Sequence, residues 1–91
     1  MSLSIKQQGK IFLIKGSINE TTIKQFKNHL EFLLLFSKSL TINIDGVKLI
    51  DRSGMKVLKE LNAISLMYKK KFEIIGYGCK DIYDELYNHA A

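Results

Sequence analysis

Residues 40–61, LTINIDGVKLIDRSGMKVLKEL, change periodicity halfway along, and that change commits the chain to a mixed α/β fold. Leu40, Ile42 and Ile44 alternate with Thr41, Asn43 and Asp45, the period-two pattern of a strand with one buried face. Asp45-Gly46 reads as the break that ends this strand, and a short apolar step over residues 47–50 leads to Asp51-Arg52-Ser53-Gly54. Val57, Leu58, Leu61 and Ile64 then recur at helical spacing. A polar tetrapeptide thus stands where a strand hands over to a helix. In open α/β sheets that is the end where ligands and partners dock.

Upstream, residues 5–8 and 10–15 read as a hairpin turning near Gln8-Gly9, with Gly16 ending the second strand. Asn19 or Thr21 is placed to cap a first helix, and Glu20 suits its first turn. Ile23, Phe26, Leu30, Leu33 and Leu34 line one face of that helix. Phe32, Leu35 and Phe36 broaden this face and read as a helix end wedged into the core, with a partner patch as the other reading. The second helix is expected over residues 51–70. In a strand over residues 72–75, Phe72 and Ile74 face one way and Glu73 and Ile75 the other. Gly76-Tyr77-Gly78 is a loop, and residues 80–89 read as a short final helix.

Strands separated by helices pair in parallel through right-handed crossovers. Buried parallel strands are usually apolar on both sides. Here Thr41, Asn43, Asp45 and Glu73 leave one side polar, so the helices are expected mainly on one face of the sheet. Ninety-one residues without an internal repeat support one domain with one modest core.

Composition narrows the function. The net charge is +5, but lysines are spread through every segment and Arg52 is the only arginine, so a nucleic-acid surface is not expected. Lys69-Lys70-Lys71 read as a solvated helix end favoured by the macrodipole. Cys79 stands alone, which fits a reducing compartment, and Lys6 and Lys10 interrupt any signal-peptide pattern. The apolar run at residues 32–36 is far too short to cross a bilayer, which takes about 20 residues. A cytoplasmic chain without membrane insertion is expected. His29 and His89 fall in different helices and Cys79 has no Cys or His close by in sequence, so no metal site is read. His89 could approach Cys79 across the last helix, but nothing points to a third group that would orient it, so no nucleophile with its base is read, and no cofactor is expected.

Asp51, Ser53 and Gly54, set between an apolar strand and a helix, resemble the signature of the STAS family, the domain shared by sulfate transporters and bacterial anti-sigma factor antagonists. The family pattern is Asp-Ser/Thr-Ser/Thr-Gly, and Arg52 departs from it. Gly16-Ser17-Ile18-Asn19 is similar to the family's Gly-x-Leu-Asp turn, and residues 72–76 to its last core strand. The resemblance implies a four-stranded mixed sheet, first strand antiparallel, with βαβ crossovers and helices packed beside it.

It also implies a non-enzymatic regulatory domain that binds a protein through the start of the second helix. Asp51, Arg52, Ser53, Gly54, Met55 and Lys56 are the candidate contact residues. In the resembling antagonists the partner is a GHKL-type kinase that is also an anti-sigma factor. A phosphate of about −2 charge, added directly after the Asp, breaks that complex. Arg52 has no hydroxyl to accept it. Ser53 keeps one a residue later, about 100° around a helix, and is the remaining candidate for phosphorylation. Two other readings stay open: a small cytosolic subunit bracing the ATPase of a membrane transporter, and a nucleotide-binding module, for which no phosphate loop is present. Read from chemistry alone, Asp51 is a helix cap that accepts the N–H of Ser53 or Gly54. Gly54 lets another backbone approach closely.

Overall fold

A computed structural model describes residues 3–78 and Ile82. Strand β1 spans Leu3–Gln8 and β2 Ile11–Ile18; helix α1 spans Ile23–Phe36; β3 is Ser39–Ile50, α2 is Arg52–Met67 and β4 is Lys71–Ile75. The strands form one sheet in the order β1-β2-β3-β4. β1 is antiparallel to β2 because only Gly9 and Lys10 separate them, and Gly9 supplies the positive φ, 64°, that such a turn needs at its first position. The β2–β3 and β3–β4 pairs are parallel, each joined through a helix.

The alternation in residues 40–45 sorts the two faces of the sheet. Ile14, Leu40, Ile42, Ile44 and Ile74 are buried under the helices, against Phe26, Leu30 and Leu34 of α1 and Val57, Leu58 and Leu61 of α2. On the other face Thr41 and Asn43 are half-buried, while Lys15, Asp45 and Glu73 are exposed. The four-stranded mixed sheet with helices on one face is the architecture expected from the sequence.

Four local expectations give way. Asp45-Gly46 does not end the strand: β3 runs on to Ile50. Pairing with β2 skips a residue of β3 between Leu13↔Asn43 and Lys15↔Gly46, and another between Gly16↔Val47 and Ser17↔Leu49. These bulges let the chain pass a turn-like dipeptide without leaving the sheet. Gly16 likewise does not end β2; it carries the strand on at φ 107°. The first helix is capped neither by Asn19 nor by Thr21. Thr22 is its N-cap, and Asn19 instead folds the preceding turn, its Oδ1 accepting the Thr21 N–H at 3.0 Å.

The fourth correction concerns both helix ends. Phe32, Leu35 and Phe36 are 59%, 42% and 75% exposed rather than wedged into the core. Phe26, Leu30 and Leu34 set the buried stripe, and Phe32 lies two residues past Leu30, about 200° around the helix. Helix α2 stops at Met67, so Lys69-Lys70-Lys71 lie beyond it. Lys69 adopts φ 55°. The Lys70 N–H reaches the Ser65 carbonyl at 2.7 Å and the Lys69 N–H the Leu66 carbonyl at 3.3 Å, which together make a Schellman cap. The expected helix over residues 80–89 lies outside the described residues except for Ile82, which is helical and fully buried in the core.

Candidate functional site

Parallel pairing of β2 and β3 brings their C-terminal ends together, so the loops that follow them meet. The Asp51 N–H donates to the Ile18 carbonyl at 3.0 Å, closing the pair at its last rung. Asp51 itself is extended, φ −99° and ψ −173°, as a helix N-cap residue should be.

Its carboxylate serves both loops. Oδ1 accepts the Ser53 hydroxyl at 2.6 Å and the Gly54 N–H at 3.0 Å, and Oδ2 accepts the Glu20 N–H at 3.2 Å. The first two bonds are the cap read from the sequence, with Gly54 as the main-chain donor. The bond to Glu20 was not foreseen. It spans 31 residues, and its only forerunner in sequence is the expectation that β2 and β3 are parallel neighbours. These donors favour the charged form and hold the Asp51 carboxyl below its usual value. The Ser53 hydroxyl contributes most, then the Gly54 N–H; desolvation opposes them, and the N–H groups of Glu20 and Ser53 add to the lowering.

The Glu20 side of the site is itself tied down. Thr22 is buried; its hydroxyl donates to the Ser17 carbonyl at 2.8 Å and accepts the Asn19 N–H at 3.0 Å. A β-turn then brings the Thr22 N–H to the Asn19 carbonyl at 3.0 Å. Both loops are therefore tied down by hydrogen bonds, and Asp51 joins them.

The six candidate contact residues divide by environment. Arg52 and Lys56 are exposed one helical turn apart, and among the described residues no carboxylate pairs with Arg52. Ser53 and Met55 are half-buried, Ser53 with its hydroxyl given to Asp51 and Met55 packed on the core. Gly54 is buried. A Cβ there would stand 2.6 Å from Ile18 Cγ2 and 2.8 Å from Ile50 Cγ1, so the close approach it permits is made by the chain's own β2 and β3.

Gly76 and Gly78 also have a structural use. Gly76, at φ 97°, packs on the side-chain oxygens of Asn43 and Asp45, and the Tyr77 N–H donates to Asp45 Oδ1 at 2.7 Å. Gly78 lies against the Ile44 carbonyl so closely that a Cβ would collide with it. The two glycines therefore fasten the loop after β4 over the β3 bulge. Among the described residues no group of three or more His, Cys, Asp or Glu side chains could hold a metal ion, and no helix is long and apolar enough to cross a membrane.

Comparison with known proteins supports the same frame. The family model for the STAS domain matches residues 2–75. The fold is similar to that of an anti-sigma factor antagonist from Mycobacterium paratuberculosis, with a TM-score of 0.69 and 14% identity over 90% of this chain and 74% of that one. It is also similar to the anti-sigma factor antagonist SpoIIAA in its unphosphorylated form, with a TM-score of 0.63 and 9% identity over 80% of this chain and 71% of that one. No curated protein matches the sequence.

Proposed function

The chain belongs to the STAS domain family, and from that premise we propose that it acts without catalysis, as a regulatory domain that binds a protein through the start of α2. The observation that carries this reading is the Asp51 junction. It fixes two loops in one geometry and leaves Arg52 and Lys56 exposed on α2 beside it. A rigid surface loses little conformational entropy on docking. The positive charges favour an acidic partner face. Likeness to anti-sigma factor antagonists favours an anti-sigma factor of the GHKL kinase type over a transporter ATPase.

The test is calorimetric titration of the candidate kinase with the wild type and with Arg52→Glu. The substitution should weaken binding by more than about tenfold, about 1.4 kcal/mol, and the wild-type affinity should fall with added salt. An unchanged affinity at low ionic strength would remove the helix start from the interface.

On this reading the domain does not use the family's phosphate switch. Arg52 has no acceptor hydroxyl, and the Ser53 hydroxyl is held by Asp51 at 2.6 Å on a half-buried side chain. Phosphoryl transfer depends on in-line positioning, and a misplacement of about 1 Å can cost on the order of 100-fold. The wild type should not be phosphorylated by such a kinase, whereas Arg52→Ser should become a substrate. Stoichiometric phosphate on Ser53 of the wild type, mapped by mass spectrometry, would show a switch displaced by one residue.

A further inference from the structure

The helices run antiparallel to the strands they connect, so α1 and α2 both end on the side of the molecule away from Asp51. Two contacts join those ends: Lys70 Nζ donates to the Leu35 carbonyl at 2.5 Å, and the Lys71 N–H to the Lys38 carbonyl at 3.2 Å. Large apolar side chains are exposed there. The Phe32 and Phe36 rings meet with centroids 4.7 Å apart and planes tilted by 38°, and Leu66, Met67 and Tyr68 are each more than half exposed. Lys38, Lys69 and Lys71 stand among them, also exposed. Residues 32–39 and 66–71 contain no Asp, Glu, Asn or Gln.

We propose that this end of the molecule docks on an anionic lipid surface, with the apolar side chains entering the interface and the lysines meeting lipid phosphates. The pairing of aromatic and aliphatic groups with lysines is the chemistry that such a surface selects. Lysine stems can lie along the apolar region while the ammonium groups stay at the headgroups. A second copy of the chain fits less well, because it would set lysines against lysines. A protein partner fits less well too, because residues 32–39 and 66–71 offer only lysines and hydroxyls, with no carboxylate or amide, to fix a register. A membrane requires no register. The net charge of +5 draws the whole molecule the same way, and the Asp51 end would remain open to its partner.

Sedimentation of the full chain with vesicles tests this. Binding is expected to phosphatidylcholine vesicles containing phosphatidylserine, with loss in high salt, and only weak binding to phosphatidylcholine alone. The double variant Phe36→Asp/Met67→Asp and the single Lys69→Glu should each lower partitioning by at least about fivefold, roughly the weight of one or more lysines at such a surface. Lys6→Glu, which makes the same charge change on β1, should lower it much less. Circular dichroism of each variant confirms folding. No sedimentation of the wild type, equal binding to neutral vesicles, or an equal loss with Lys6→Glu overturns the proposal. So does a wild-type dimer that the double variant abolishes, which would assign the patch to a second copy. An acidic protein that binds through these residues while vesicles do not would overturn it as well.

Discussion

Helix α2 is terminated by side chains at one end and by backbone at the other. At the N-terminus the Asp51 carboxylate takes the Gly54 N–H and the Ser53 hydroxyl, then reaches the neighbouring loop at Glu20. At the C-terminus the last carbonyls are met by the N–H groups of Lys69 and Lys70, and Leu66, Met67 and Tyr68 are left in solvent. A cap made by a side chain can also hold a second element, so the first end becomes a junction between loops. A Schellman cap is made by backbone groups of its own helix; here Lys70 Nζ reaches the Leu35 carbonyl of α1 as well, while the side chains of Leu66, Met67 and Tyr68 stay uncommitted. The rigid polar end therefore suits directional recognition, while the apolar cationic end suits a surface without fixed geometry.

The comparison can be broken most sharply between the two ends, at Leu61, which is 1% exposed under the middle of α2. Leu61→Ala should cost about 2–5 kcal/mol by urea denaturation. A cost under about 1 kcal/mol would mean that α2 presents a different face to the sheet, and both ends would then be wrongly placed. Next is Gly54→Ala, whose added methyl meets Ile18 and Ile50. About 1–3 kcal/mol of destabilisation is expected; a neutral result would show that the helix start is loosely seated and the junction is not rigid.

At the other end the sign reverses. Lys69 holds φ 55° with a side chain, where glycine is unstrained. Lys69→Gly should raise stability by about 1 kcal/mol, seen as a higher denaturation midpoint with unchanged slope. A loss instead would mean that the lysine side chain matters more to that cap than the backbone conformation does.

The subtlest effect is in pH. The folded carboxyl of Asp51 titrates below its ordinary value of 3.8. Its contribution is therefore complete above that value and is lost as pH falls through the lower folded one. Denaturation midpoints measured on the acid side should fall less steeply for Asp51→Asn than for the wild type. Parallel profiles would mean that the carboxylate is not engaged by Ser53 and Gly54 in solution.

Much of this site was legible in the chain. The change of period after Ile50 placed a loop before a helix, and Asp51 three residues before Gly54 announced the cap. The polar alternation of Thr41, Asn43 and Asp45 announced a sheet covered on one face. The exposure of Phe32 was legible too, since 100° per residue carries it away from Leu30. Hydrophobicity was the misleading signal there, because it does not say which way a side chain points.

What the sequence by itself determined was the order of the described elements, the buried face of β3, the Val57, Leu58 and Leu61 stripe of α2, and the cap at Asp51. These depend on contacts within a few residues, where period and residue type decide. Only the tertiary structure decided that β3 runs past Asp45-Gly46, that Gly54 is filled by Ile18 and Ile50, and that Asp51 reaches Glu20. Each depends on the register between β2 and β3, strands separated in sequence by a whole helix. Isolated Asp-Gly favours a turn, but hydrogen bonds to β2 on either side hold residues 45 and 46 in the sheet as a bulge. Local preference is worth about 1 kcal/mol or less at such a position, and the paired strands on both sides outweigh it.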